Sequence, residues 1–214
     1  MQIMDEITYT FETEGIRDFD YSFESDLEKV ISVHVNNDKS KINMTLTVVN
    51  VYDGDDLTEF NEYFIKWAVS FGFELDVPIW ELKISSYSLP KRGGSRNTKI
   101  YAGPITFKLP VKSKCIDQQQ IENIEYLCSS VGDEELMLLR LFSFANSERE
   151  AISRYSYLYN VMLQICGDKQ ANVDMQIMDI KPSTVQTVSP KNGKYETIYT
   201  RLRNELAHKR DGVS

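Results

Sequence analysis

Hydrophobic periodicity changes once for good along this chain, at Pro110, and no other feature constrains its architecture as strongly. Before that point strand-like patterns dominate. Ile7-Thr8-Tyr9-Thr10-Phe11 alternates, residues 30–35 are rich in β-branched side chains, and residues 42–51 read I-N-M-T-L-T-V-V-N-V. Asn36-Asn37-Asp38 reads as the turn that makes the last two a hairpin. Leu57, Phe60, Phe64, Trp67, Ala68 and Phe71 then recur at helical spacing, which predicts an amphipathic helix laid on the sheet. Two further strands are expected over 79–89 and 100–109.

After Pro110 the apolar spacing becomes helical. Helices are predicted over 118–128, 133–145, 148–166 and 195–210, with a shorter piece over 172–180 and Gly132, Asn146-Ser147 and Gly167 as punctuation. Residues 181–194, KPSTVQTVSPKNGK, are polar, hold two prolines and lack periodicity, so they read as an irregular connection. The pattern therefore predicts an α+β chain. An N-terminal mixed β-sheet domain with one packed helix is expected over 1–115, and a C-terminal α-helical bundle over 116–214. The pentapeptide MQIMD occurs at residues 1–5 and 175–179, but its flanks share nothing and it reads as chance.

Several function classes are disfavoured at this level. Apolar residues make up 42% and charged residues 26% of the 214, a globular rather than a disordered balance. No apolar run approaches about 18 residues and the start lacks a signal pattern, so no membrane span is expected and the cytoplasm is the expected compartment. Cys115, Cys128 and Cys166 are odd in number and widely spaced, which predicts free thiols rather than disulfides or zinc. His34 reads as a structural strand histidine. Asp53, Asp55 and Asp56 do not complete a calcium loop and fit the start of a helix, where acidic groups cap and meet the dipole. No metal and no cofactor is expected, and Trp67 and Trp80 read as core rather than as walls of a sensor pocket.

Charge is uneven. Residues 1–80 carry 17 acidic and 5 basic side chains, whereas 191–214 carry 3 acidic and 6 basic. Local phosphate contact is thus compatible with a net charge of -8. The connector over 90–99 holds Lys91, Arg92, Arg96 and Lys99 beside two glycines, and reads either as a loop that follows an RNA backbone or as a solvated hairpin loop.

The last predicted helix, YETIYTRLRNELAHKR, carries most of the chemistry. At about 100° per residue, Tyr195, Ile198, Tyr199, Leu202 and Leu206 form one stripe, which assigns the core face. Asn204 and His208 fall nearly opposite, with Thr200 and Ala207 beside them and Arg203 on the flank; such a face admits another helix closely. Lys209 and Arg210 follow as further candidates for RNA contact, although basic residues at a helix C-terminus are also favoured by its dipole.

Arg203-Asn204-Glu205-Leu206-Ala207-His208 resembles the R-x-x-x-x-H signature of HEPN-domain ribonucleases, including the asparagine that often follows the arginine. LLRLFSFANSEREAISRYSYLYNVMLQI looks like the paired helices that precede that motif, and the resemblance spans about 118–214. It implies a HEPN-like helical fold and a metal-independent endoribonuclease with one composite site built by two motif helices of a homodimer. Such proteins act in toxin, phage-defence or RNA-processing settings, which leaves room for a regulatory protein partner. In that scheme Arg203 stabilises the charge on the transferring phosphoryl group, and His208 moves protons at the 2′-hydroxyl or the leaving 5′-oxygen. Asn204 orients the phosphate or the imidazole, and the product is a 2′,3′-cyclic phosphate. The alternative is a noncatalytic dimerisation or interaction protein that binds RNA or a protein partner.

Overall fold

A computed structural model describes residues 5–38, 40–101 and 114–211; for 208–211 it describes the backbone alone. Part of the strand expected over 100–109, from residue 102 on, lies outside the described residues. The fold is α+β, and it divides into two compact units, residues 1–147 and 148–214.

The first unit is built on a six-stranded sheet in the order β2-β3-β4-β1-β5-β6. Its strands are β1 (Asp5–Glu12), β2 (Asp20–Phe23), β3 (Val30–Asp38), β4 (Lys41–Val48), β5 (Trp80–Pro90) and β6 (Arg96–Ile100). Every ladder is antiparallel, so the expectation of a mixed sheet is corrected; the one parallel pairing described is an isolated bridge between Ile16 and Lys114. Asn36, Asn37 and Asp38 belong to β3, where they pair with Asn43, Ile42 and Lys41. The hairpin is therefore tighter than the Asn-Asn-Asp signal suggested.

Alternation explains which sheet face is covered. Ile7, Tyr9 and Phe11 of β1 and Ile42, Met44, Leu46 and Val48 of β4 are buried together. Across from them lies α1 (Thr58–Glu74), whose Phe60, Phe64, Trp67 and Phe71 supply the opposing apolar stripe. Phe64 stacks on Tyr9 at 4.7 Å between centroids, and Phe71 meets Phe11 edge-on at 5.4 Å. Gly72 permits the chain to fold back after α1, since a Cβ there would lie 2.7 Å from Ile79 Cγ1.

Two later helices belong to this unit rather than to a separate bundle. In α2 (Gln118–Ser130), Ile121, Ile124 and Cys128 enter the same core as the sheet. In α3 (Asp133–Ser147), Leu136 and Leu139 pack on Val69 of α1. The break between compact units thus falls at 147/148, whereas the change of period placed it at 115/116. Periodicity marks where helices begin; which body a helix joins depends on the apolar surface it meets. Asp117 starts α2 with a reciprocal capping box, accepting from Gln120 N at 2.9 Å while Gln120 Oε1 accepts from Asp117 N at 3.1 Å.

The second unit holds α4 (Ala151–Ile165), α5 (Gln170–Ile180), a hairpin of β7 (Gln186–Val188) and β8 (Tyr195–Thr197), and α6 (Ile198–Asp211). Residues 195–197 are strand rather than the first turn of the final helix, and part of the predicted irregular connection pairs with them. No helix among the described residues is long and apolar enough to cross a membrane.

Candidate functional site

The final helix turns inward the face that its helical wheel assigns away from the core. Thr200 is 2% exposed and Thr197 and Glu196 are buried, whereas Tyr195 is 74%, Ile198 39% and Leu202 43% exposed. The expected core stripe is corrected accordingly. The physical reason is Asp174 on α5. Its Oδ1 accepts hydrogen bonds from Thr197 N at 3.1 Å, Thr197 Oγ1 at 2.6 Å and Thr200 Oγ1 at 2.7 Å. A carboxylate between helices needs donors far more than it needs methyl groups, and a face of hydroxyls supplies them. Apart from Tyr159, Val161 and Val173, the buried side chains described in this unit are polar.

Local structure follows from the same residues. Thr197 ends β8 and caps α6, its Oγ1 accepting from Thr200 N at 3.3 Å. Facing it, α4 contributes Tyr159, whose hydroxyl lies 2.6 Å from Thr200 Oγ1, and Tyr155, whose hydroxyl donates to the Tyr199 carbonyl. Burial pushes the Tyr155 phenol up to about 12, the neighbouring Tyr159 adds to this, and Arg203 works in the opposite direction. The Tyr159 phenol is also raised, again chiefly by burial. Both phenols therefore remain donors at neutral pH.

Arg203 and Asn204 lie half-buried at the edge of this network. Asn204 Oδ1 accepts from Gln170 Nε2 at 2.9 Å and from Arg203 Nη1 at 3.4 Å, while its Nδ2 donates to Glu196 Oε2 at 3.4 Å. The helix that approaches the Thr200 and Asn204 face closely is thus α5 of the same unit. His208 follows Asn204 by one turn of α6. Its side chain, and those of Lys209 and Arg210, lie outside the described residues.

The other predicted RNA contacts stand in the first unit. Arg92 pairs with Asp55 at 2.9 Å and lies over the Tyr52 ring. Arg96 pairs with Asp5 at 2.7 Å and donates to the Ser88 carbonyl at 2.8 Å. Lys99 lies over the Tyr87 ring, and Lys91 is exposed. Arg96 and Lys99 sit in β6, so the connector is a short turn rather than a ten-residue loop, and at least Arg92 and Arg96 have structural work. Asp53 accepts from Tyr87 at 3.0 Å and Asn97 at 2.8 Å, and Asp55 from Tyr52 N at 3.0 Å, which ties the acidic segment to the sheet. His34 pairs with Asp20 of the neighbouring strand at 2.8 Å, a partner that linear spacing hides.

No family model, no curated protein and no solved structure matches this chain.

What the cluster does chemically follows from its own donors and acceptors. Arg203 offers planar donors of the geometry that phosphate oxygens accept, and it stands beside Asn204, to which its Nη1 donates at 3.4 Å. Sequence reasoning missed Gln170, Asp174, Glu196, Thr197 and Tyr155. One signal was present: Thr197, Thr200, Asn204 and Ala207 recur at spacings of three and four, a small and polar stripe that marks close helix approach. Its partner on α5 was invisible without the fold.

Proposed function

We propose that this chain is a metal-independent endoribonuclease of HEPN type, with a composite site formed where the final helices of two copies meet. The observation that carries the reading is Arg203 and Asn204 in the same uninterrupted helix as His208, with Asn204 fixed by Gln170 and Glu196 one turn before His208. In this reading His208 accepts the proton of the ribose 2′-hydroxyl, the 2′-oxygen bonds to phosphorus and the bond to the 5′-oxygen breaks. A proton then goes to that leaving oxygen, giving a 2′,3′-cyclic phosphate and a 5′-hydroxyl. Arg203 stabilises the charge gathering on the phosphoryl oxygens.

A second reading is favoured by one observation. Asn204 spends both its amide oxygen and its amide nitrogen within its own unit, as a structural residue would. On that account the unit is a noncatalytic dimerisation or interaction module.

Incubating the full chain and its His208→Ala variant with labelled RNA in excess chelator separates the two. Cleavage by the parent alone supports the nuclease; intact RNA in both reactions, with dimers seen in sedimentation, supports the second reading. A strict monomer at micromolar concentration counts against both.

A further inference from the structure

Glu196 has an oxygen with nothing to accept. The residue is 7% exposed; its Oε2 takes the weak bond from Asn204, while Oε1 is buried without a hydrogen-bond donor and has only a long ion pair, at 3.9 Å, with the Arg201 guanidinium. A buried carboxylate oxygen left so is uncommon, and its cost is removed when a ligand brings an N–H. Glu196 lines an open cleft of about 560 Å³ between α5, the β7–β8 hairpin and the start of α6.

Other walls of the cleft match a flat heteroaromatic group. Met178 lines it from α5, and Tyr195, exposed on β8, lines its rim. A thioether and a phenol ring are both suited to stacking on a base. The amides of Gln186 and Asn192 also line it and can donate to ring carbonyl or nitrogen acceptors. Among the described residues no three His, Cys, Asp or Glu side chains converge as a metal site; Asp174 and Asp179 line the cleft beside Glu196, Asp174 with Oδ1 filled by Thr197 and Thr200, and Lys194 brings a positive charge to the same cleft.

We propose that this cleft reads a guanine base of a single-stranded RNA, with the Glu196 carboxylate accepting from its Watson–Crick edge. The choice among bases follows from their edges. Guanine alone presents two adjacent donors there, N1–H and the N2 amine. Adenine and cytosine each place a ring acceptor beside their amine, and uracil flanks its N–H with two carbonyls, so each sets a lone pair against the carboxylate. Asn204 bonds Glu196 directly, which puts base recognition next to the motif. The assignment of the strand as RNA rests on the ribonuclease reading; the recognition of guanine rests on Glu196 and the cleft.

The test is calorimetric binding of nucleoside 3′-monophosphates to the full chain. Guanosine 3′-monophosphate is expected to bind on the order of 10-fold more tightly than the adenosine, cytidine and uridine forms. It should also exceed inosine 3′-monophosphate, which lacks only the N2 amine. Glu196→Gln should erase the difference between guanosine and inosine. Gln186→Ala, at an exposed wall position, should weaken guanosine 3′-monophosphate severalfold and remains readable if the first variant does not fold. A DNA-backbone decanucleotide with one deoxyguanosine among thymidines, which lacks the 2′-hydroxyl and so is not cut, should bind more tightly than its all-thymidine control. If it does not, while free guanosine 3′-monophosphate binds, recognition within a strand is overturned. Equal binding of guanosine and inosine forms, or no binding of either, overturns the pocket. The two readings fail separately: RNA left whole while guanosine 3′-monophosphate binds removes the nuclease, and RNA cut without any base preference removes the pocket.

Discussion

Asp174 on α5 and Thr200 on α6 are joined by a 2.7 Å hydrogen bond that fixes the direction of its neighbours. A hydroxyl has one proton, and an ionised carboxylate only accepts, so Thr200 donates to Asp174. The Tyr159 hydroxyl, 2.6 Å from the same Thr200 oxygen, must then donate to Thr200. A chain of donors from α4 through α6 to α5 holds the second unit together.

Removing the acceptor should be costly. Asp174→Ala strands the hydroxyls of Thr197 and Thr200 and a backbone N–H, and should destabilise the second unit by about 2–3 kcal/mol. Hydrogen exchange over 151–207 should rise by a factor consistent with that loss, while exchange in the first unit's sheet stays as it was. Unaltered exchange over α6 would show that the network contributes nothing.

Alkaline pH should weaken the same unit. The Tyr155 phenol is raised from 10.0 to about 12, so the folded state holds its proton more tightly than the unfolded chain. That stability is fully present below pH 10 and is lost as pH rises through about 12. Urea midpoints followed by circular dichroism should fall across this window, and Tyr155→Phe should flatten the fall.

Gly72→Ala should destabilise the first unit, against the helix-propensity gain of about 1 kcal/mol that an alanine ordinarily brings. The new Cβ would lie 2.7 Å from Ile79 Cγ1 and 3.1 Å from the Val77 carbonyl, and overpacking of this kind costs about 1–3 kcal/mol. The double variant with Ile79→Ala should lose less than the sum of the two single losses, because the clash partner is gone. Tryptophan fluorescence during urea unfolding reads all three.

Thiol labelling should distinguish the cysteines. Burial pushes the Cys128 thiol up to about 12 and shields it in the α1–α2 core, whereas Cys115 is exposed. A maleimide at neutral pH should modify Cys115 in the native protein and reach Cys128 only as the unit opens. Equal rates at both positions would mean that α2 does not pack as described.

Much of the first unit was legible from period alone. The β1 and β4 alternation placed Ile7, Tyr9, Phe11, Ile42, Met44 and Leu46 inward, and the stripe Phe60, Phe64, Trp67 and Phe71 placed α1 against them. Extra strands were harder: β2 is four residues long and β7 and β8 three each, too short for a period to register. At the site, the final helix that carries Arg203, Asn204 and His208 was legible, but its inward face was not. A helical wheel ranks faces by apolarity, and here the interior is set by a carboxylate that calls for hydroxyl donors.

The sequence by itself determined the strands β1, β3, β4 and β5, the presence of the helices, the aromatic core of the first unit and the one helix that holds Arg203, Asn204 and His208. These depend on local spacing, which the chain carries within a few residues. Tertiary structure alone decided that α2 and α3 join the sheet, that α6 turns Thr197 and Thr200 inward, and that Glu196 is buried with an unfilled oxygen. Each of these depends on partners far apart in sequence, such as Ile121 with the sheet core and Asp174 with Thr200, whose meeting no local pattern encodes.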